Sequence, residues 1–115
     1  MKQATFSLRF REENRDIFRA IRNGRKKVET RAATERYRKI KTGDIIKFVC
    51  GKDGFEKQVS KAEVFKTIRA LLRVYGVKEI NPSIDSEKEL RELYNTFPSY
   101  REKIKKCGLI ALELR

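Results

Sequence analysis

The sequence predicts a small α+β fold, a curved antiparallel sheet whose openings are covered by short helices. Three observations carry this prediction. Apolar and polar residues alternate at the amino end, with Phe6, Leu8 and Phe10 on one face, and a nearly unbroken apolar run, Leu109-Ile110-Ala111-Leu112-Glu113-Leu114, closes the carboxyl end. Between them Ile68, Leu71, Leu72 and Tyr75 recur at i, i+3, i+4 and i+7, the spacing of one helix face. Turn chemistry separates the segments, above all Gly51-Lys52-Asp53-Gly54, which closes a hairpin. The 115 residues are read as one domain, 1–115, long enough to bury a core without metal or disulfide staples.

Taken in order, Thr5 to Phe10 is a first strand. Glu12 to Asn23 is a helix, with acids at its start, bases at its end and Ile17, Phe18 and Ile21 as an apolar stripe closed by Gly24. Val28 and Thr30 then point one way along a strand and Lys27, Glu29 and Arg31 the other. Lys41-Thr42-Gly43-Asp44 turns the chain into the apolar strand Ile45 to Cys50, and the hairpin returns it from Phe55 to about Phe65. Ser60 to Thr67 reads equally as strand or as helix approach. Thr67 caps the helix of Ile68 to Tyr75, which ends at Gly76. Two capping-box patterns, Ser86-x-x-Glu89 and Ser99-x-x-Glu102, open two further helices. Leu90, Leu93, Tyr94 and Phe97 form the apolar face of the first, which Pro98 stops, and Gly108 stops the second. The final strand is apolar on both faces, as a central or barrel-closing strand is.

Composition narrows the chemistry. The chain has no His, no Gly-rich phosphate loop and no tight acid cluster, which sets aside serine-protease, P-loop and metal-dependent mechanisms. Cys50 and Cys107 are far apart and have no His to join them, so free buried thiols are expected, with no metal and no cofactor. Gln3 and Gln58 are the only glutamines in a strongly ionic sequence, a composition found in heat-adapted proteins. Met1-Lys2-Gln3-Ala4-Thr5 lacks an apolar signal core, and no segment approaches the ~20 apolar residues of a membrane helix. A cytoplasmic protein with no membrane partner is the expectation.

The charge is the strongest pointer to a partner. Lys and Arg number 29 against 16 Asp and Glu, a net +13. Between Arg22 and Lys41 nine bases face only Glu29 and Glu35, so over half of the excess lies in one stretch. A basic cluster of this kind is the electrostatic footprint of nucleic-acid binding. Lys103, Lys105 and Lys106 read as solvated charge at a helix end.

Within the basic stretch lies Gly24-Arg25-Lys26-Lys27-Val28-Glu29-Thr30-Arg31. Across a helix-to-strand join the side chains of Lys26, Glu29 and Arg31 reach one concave surface. Lys26, Arg31 and Arg36 have the chemistry to hold phosphate, Arg as a two-pronged contact and Lys as a point charge. Glu29 either neutralises Arg31 and Lys26 or accepts a hydrogen bond from a base amino group. Tyr37, between Arg36 and Arg38, either stacks an unpaired base or folds as a lid onto the barrel mouth.

The pattern Gly-x-Lys-x-x-Glu-x-Arg, met here at Gly24, Lys26, Glu29 and Arg31, resembles the signature of ASCH domains, relatives of the PUA-like RNA-binding barrels. Lys41 to Ile46 is similar to that family's Gly-Asp turn and following strand, and Gly108 to Leu114 to its closing strand; the resemblance spans about residues 5–115. It implies a PUA-like antiparallel β-barrel with short covering helices. It also implies a cleft for RNA, a nucleotide or a nucleoside, built from Gly24, Arg25, Lys26, Glu29, Arg31, Arg36, Tyr37 and Arg38. Some bacterial ASCH members are small amidohydrolases that deacetylate acetylcytidine with a lysine, a threonine and a later glutamate. The resemblance carries these onto Lys26, the position of Glu29, and Glu79. The motif threonine is absent, so the enzymatic alternative is a metal-independent hydrolase in which Lys26, Glu29 and Glu79 activate water. Thr30 falls on the other face of the strand.

Overall fold

In the computed structural model, which describes residues 3–115, β1 (Thr5–Phe10) buries Leu8 and Phe10 and exposes Thr5, Ser7 and Arg9, the alternation expected of it. Met1 and Lys2, the start of the stretch read for a targeting signal, lie outside the described residues. The helix expected over 12–23 begins as a 3-10 turn, Glu12–Asn14, and continues as α1 (Arg15–Arg22). No side chain caps either start, and Arg15 is held instead by Glu12 at 2.6 Å and Asp53 at 2.5 Å. Gly24 reverses the chain at φ +83°, and β2 (Val28–Ala32) follows.

The polar loop around Tyr37 contains a single helical turn, α2 (Glu35–Arg38), which periodicity did not announce. Asp44 then fixes the expected turn, accepting from the Lys41 N–H at 2.8 Å and the Ala4 N–H at 3.1 Å. The hairpin joins β3 (Ile45–Cys50) to β4 (Asp53–Phe65) through Gly51 and Lys52 alone, so β4 starts two residues before Phe55. The stretch that read two ways is strand as far as Phe65. Thr67 caps α3 (Ile68–Leu72) by accepting from the Ala70 N–H at 3.0 Å, and the segment after it folds back as a separate turn, α4 (Val77–Ile80).

Ser86 caps α5 (Glu87–Asn95) as its pattern predicts, with Oγ 3.1 Å from the Glu89 N–H. Ser99 does not cap α6 (Tyr100–Cys107). It sits in the left-handed region at φ 59°, whereas a capping side chain reaches back to the first turn only from extended backbone. β5 (Leu109–Leu114) ends the chain.

The five strands form one curled sheet in the order β1-β3-β4-β5-β2. The fold is α+β as predicted, a half-barrel with short helices, but its sheet is mixed. β1 and β3 run parallel, Thr5 beside Ile45 through Phe10 beside Cys50, because residues 11–44 form the crossover between them. β4 bends in mid-course, pairing with β3 over Asp53–Gln58 and with β5 over Val59–Phe65, with a register shift between Val59 and Lys61.

β5 lies inside the sheet and serves two cores by strand alternation. Ile110, Leu112 and Leu114 join Leu8, Phe18, Ile21, Ile46 and Phe48 within the curl; Leu109 and Ala111 join Val28, Leu71, Ile80, Leu90 and Tyr94 beneath the helices. β1 and β2 are the two edges. They face each other across an open seam, with the Arg31 guanidinium on β2 lying 5.3 Å from the centre of the Phe10 ring on β1. Cys50 and Cys107 are both free, the first buried and the second half-buried. Among the described residues no helix is long and apolar enough to cross a membrane.

Candidate functional site

A cavity of about 370 Å³ opens at this seam. The end of β1 (Arg9, Phe10), the β2 strand (Glu29, Thr30, Arg31), Lys26 before it, and α5 and α6 (Leu93, Tyr94, Tyr100, Lys103) enclose it. β2 is an edge strand, so both of its faces reach the cavity: Glu29 and Arg31 from inside the curl, Thr30 from the helical side.

Lys26, Glu29 and Arg31 form its charged floor. The Lys26 ammonium is 4% exposed and spends its three donors within the protein, on the Val28 carbonyl at 2.8 Å, the Ile80 carbonyl and Glu29 Oε1 at 3.3 Å. Burial pushes its pKa below the ordinary lysine value against the opposing pull of Glu29. Lys26 is therefore a positioning residue that fastens α4 to β2 and orients Glu29. Glu29 is 5% exposed; it also takes the Thr30 N–H at 3.2 Å and Arg31 Nε at 3.3 Å. Burial opposes the Arg31 charge, but Glu29 together with Tyr100 and Tyr37 outweighs it and the guanidinium is held above its ordinary range. Among the described residues neither terminal nitrogen of Arg31 has a protein acceptor within hydrogen-bond distance. The guanidinium lies instead near the Phe10 and Tyr37 rings, and the side chain is part-exposed.

The opposite wall is aromatic. Tyr94 is 4% exposed, and its hydroxyl shares a hydrogen bond of 2.5 Å with Thr30 Oγ1. Tyr100 hydroxyl accepts from the Ala32 N–H at 3.0 Å, and its ring lies 5.2 Å from Phe97. Burial raises the pKa of both tyrosines. The backbone adds another acceptor. Lys27 and Ala33 bond to β5, so by alternation Thr30 turns its carbonyl away from β5, to the open edge.

Of the site residues expected from the sequence, Lys26, Glu29 and Arg31 meet in the cavity, whereas Gly24, Arg25, Arg36, Tyr37, Arg38 and Glu79 do not line it. Gly24 only turns the chain, and Arg25 reaches a neighbouring depression beside Pro82. Tyr37 is partly buried against the core, with the guanidinium groups of Arg31 at 5.8 Å and Arg36 at 5.3 Å from its ring centre. Arg36 reaches the Ser7 carbonyl at 3.4 Å, and Arg38 ties the Ala33 and Cys107 carbonyls at 3.3 and 2.7 Å. Glu79 is not at the site: its carboxylate closes its own helix turn on the Gly76 N–H at 2.9 Å and is exposed. Thr30 does face away from Glu29, as alternation requires, yet lines the same space because among the described residues no strand pairs beyond β2.

Sequence reasoning missed Arg9, Asn81, Phe97, Tyr100 and the cavity role of Tyr94. Helix periodicity assigned Tyr94 and Phe97 to the core, which is half the truth. The choice of Tyr over Phe at a buried helix position was the available signal, since a buried hydroxyl needs a partner.

No protein-family model and no curated protein matches the chain. Solved structures do, two of them as follows. The crystal structure of the hypothetical protein PH0355 aligns with a TM-score of 0.82 and 31% identity over 96% of this chain and 97% of that one. The solution structure of PF0455 from Pyrococcus furiosus aligns with a TM-score of 0.72 and 31% identity, over 99% and 96%. With identity and full-length coverage at these levels, the chain belongs to the same family as the archaeal proteins PH0355 and PF0455.

Proposed function

We propose that the chain is an ASCH domain that binds a nucleotide, or an unpaired nucleotide of RNA, in the seam cavity. The supporting observation is the cavity's construction: about 370 Å³, within the usual size range of small-ligand sites, with a carboxylate and an open-edge carbonyl on one side, aromatic rings on the other and the cations Arg9, Arg31 and Lys103 in its lining. Glu29 and the Thr30 carbonyl accept from exocyclic amino groups, Phe97 and Tyr100 offer ring faces, and the free end of Arg31 meets phosphate. Lys26 supports this indirectly by holding Glu29 in place.

The test is a titration with RNA at several salt concentrations. If about four to six phosphates are neutralised, the log-log slope for single strands is roughly −3 to −4. No binding at low salt, or a flat slope, overturns the reading. Phe97→Ala should weaken binding by roughly 5- to 100-fold if a base stacks there, with the domain still folded. The hydrolytic alternative lacks Glu79 in the cavity and finds Lys26 fully engaged. Acetylcytidine incubated with the protein should release no acetate.

A further inference from the structure

Two depressions adjoin the cavity, and both are basic. Arg9, at the cavity mouth, also lines a groove on the outer face of the sheet with Ser7, Lys47, Val49 and Lys52. That face is set by register: Ser7 stands beside Lys47 and Arg9 beside Val49, all outward of the buried Leu8 and Phe48. The acid in this groove, Asp53, already carries Arg15 at 2.5 Å, so its charge does not cancel the lysines. On the other side Ile17 and Asn81 line both the cavity and a second depression that holds Arg19, Arg25, Pro82 and Ser83, with Asp16 its one acid.

The three spaces are therefore adjacent, sharing wall residues, and basic on both sides of the aromatic cavity. From this we infer that the natural partner is an internal stretch of a single-stranded polynucleotide. One base enters the cavity while the backbone leaves along Arg9, Lys47 and Lys52 on one side and along Arg19 and Arg25 on the other. A free nucleotide needs only the central space; a chain end needs only one flank. Cations on both flanks with an aromatic site between them match a strand that passes through. This inference rests on the cavity being a nucleotide site.

The experiment compares a nucleoside 5′-monophosphate, a trinucleotide and a nonanucleotide of single-stranded RNA as ligands of the wild-type protein. Affinity at low salt should rise by on the order of tenfold or more from the monophosphate to the nonanucleotide. The double variant Lys47→Ala/Lys52→Ala, exposed on the outer face, should lose most of that gain. Its log-log salt slope should become shallower by roughly 1 to 1.5, and its binding of the monophosphate should be unchanged. Arg19→Ala/Arg25→Ala should likewise reduce the length dependence. Equal affinity for monophosphate and nonanucleotide overturns the through-path while leaving the cavity as a nucleotide site. Loss of length dependence in only one of the two double variants overturns it too, in favour of a chain end. Nonanucleotide binding that Phe97→Ala leaves intact means that the strand bypasses the cavity, which overturns both readings.

Discussion

Glu29 is the residue on which the site balances. It joins two cations, the buried Lys26 at 3.3 Å and the part-exposed Arg31 at 3.3 Å, and it also steadies the Thr30 amide. Glu29→Gln leaves the Lys26 ammonium buried with two carbonyls and no countercharge. We predict a loss of stability of roughly 3 kcal/mol, read from urea unfolding, with RNA affinity falling if Glu29 accepts from a base amino group and equal or slightly higher if it only tempers Arg31. Stability within experimental error of wild type would show that the ammonium finds water or sheds its proton. Tyr94→Phe removes only the hydroxyl that meets Thr30, so about 1 kcal/mol is expected there.

The same residues set the alkaline limit. Tyr94 and Tyr100 are raised by burial, so the folded protein keeps protons that the unfolded chain releases near pH ~10. Their contribution is fully present below that pH and is lost as pH climbs toward the folded values. Lys26 acts in the opposite sense. Its lowered pKa means that the unfolded chain binds the extra proton, so its contribution improves as pH rises toward the ordinary lysine value. Unfolding curves measured above pH ~10 should show falling stability, and Tyr94→Phe should flatten that fall.

At the scale of elements, two glycines with positive φ make a comparison. Gly24 turns from α1 toward β2 at φ +83°, and a Cβ there meets nothing within 4 Å. Gly108 leads α6 into β5 at φ +79°, and a Cβ there would overlap the Phe65 carbonyl oxygen of the neighbouring strand. Gly24→Ala should cost only backbone strain, roughly 1–2 kcal/mol. Gly108→Ala carries that strain and must also displace β4, so its midpoint in thermal unfolding should fall clearly further. The serines give a second comparison. Ser86→Ala removes a working cap and should cost about 1 kcal/mol, whereas Ser99→Ala, with no capping bond to lose, should stay within about 0.5 kcal/mol of wild type.

For the molecule as a whole, legibility followed the physics of each signal. Strands with one buried face, such as β1, and the doubly apolar β5 were readable because alternation is a local property. So was the meeting of Lys26, Glu29 and Arg31, since a helix stop followed by a strand fixes which side chains share a face. What could not be read was set by distant contacts. The parallel pairing of β1 with β3 depends on how residues 11–44 cross over, and α2 and α4 are too short to leave a period. The aromatic wall comes from helices more than sixty residues from the motif, and only packing brings Tyr94 to Thr30. Net charge acts at this scale as well. A net +13 repels itself in the compact state, so raising salt from low levels to ~0.15 M, where the screening length is about 8 Å, should raise the melting temperature before any ligand is added.

The open edge of β2 has a consequence that a spectrometer can read residue by residue. Glu29 and Arg31 turn their amides toward β5, opposite Leu112 and Ile110, while the amides of Val28, Thr30 and Ala32 turn outward, where Thr30 meets the Glu29 carboxylate and Ala32 the Tyr100 hydroxyl. Deuterium uptake along this strand should therefore run in a two-residue rhythm, slow at 29 and 31 and fast at 28, 30 and 32. Anything that lodges in the seam stands where a sixth strand would have stood, and the fast members of that rhythm should then slow toward their neighbours. The gap in the sheet thus carries its own isotopic gauge of occupancy.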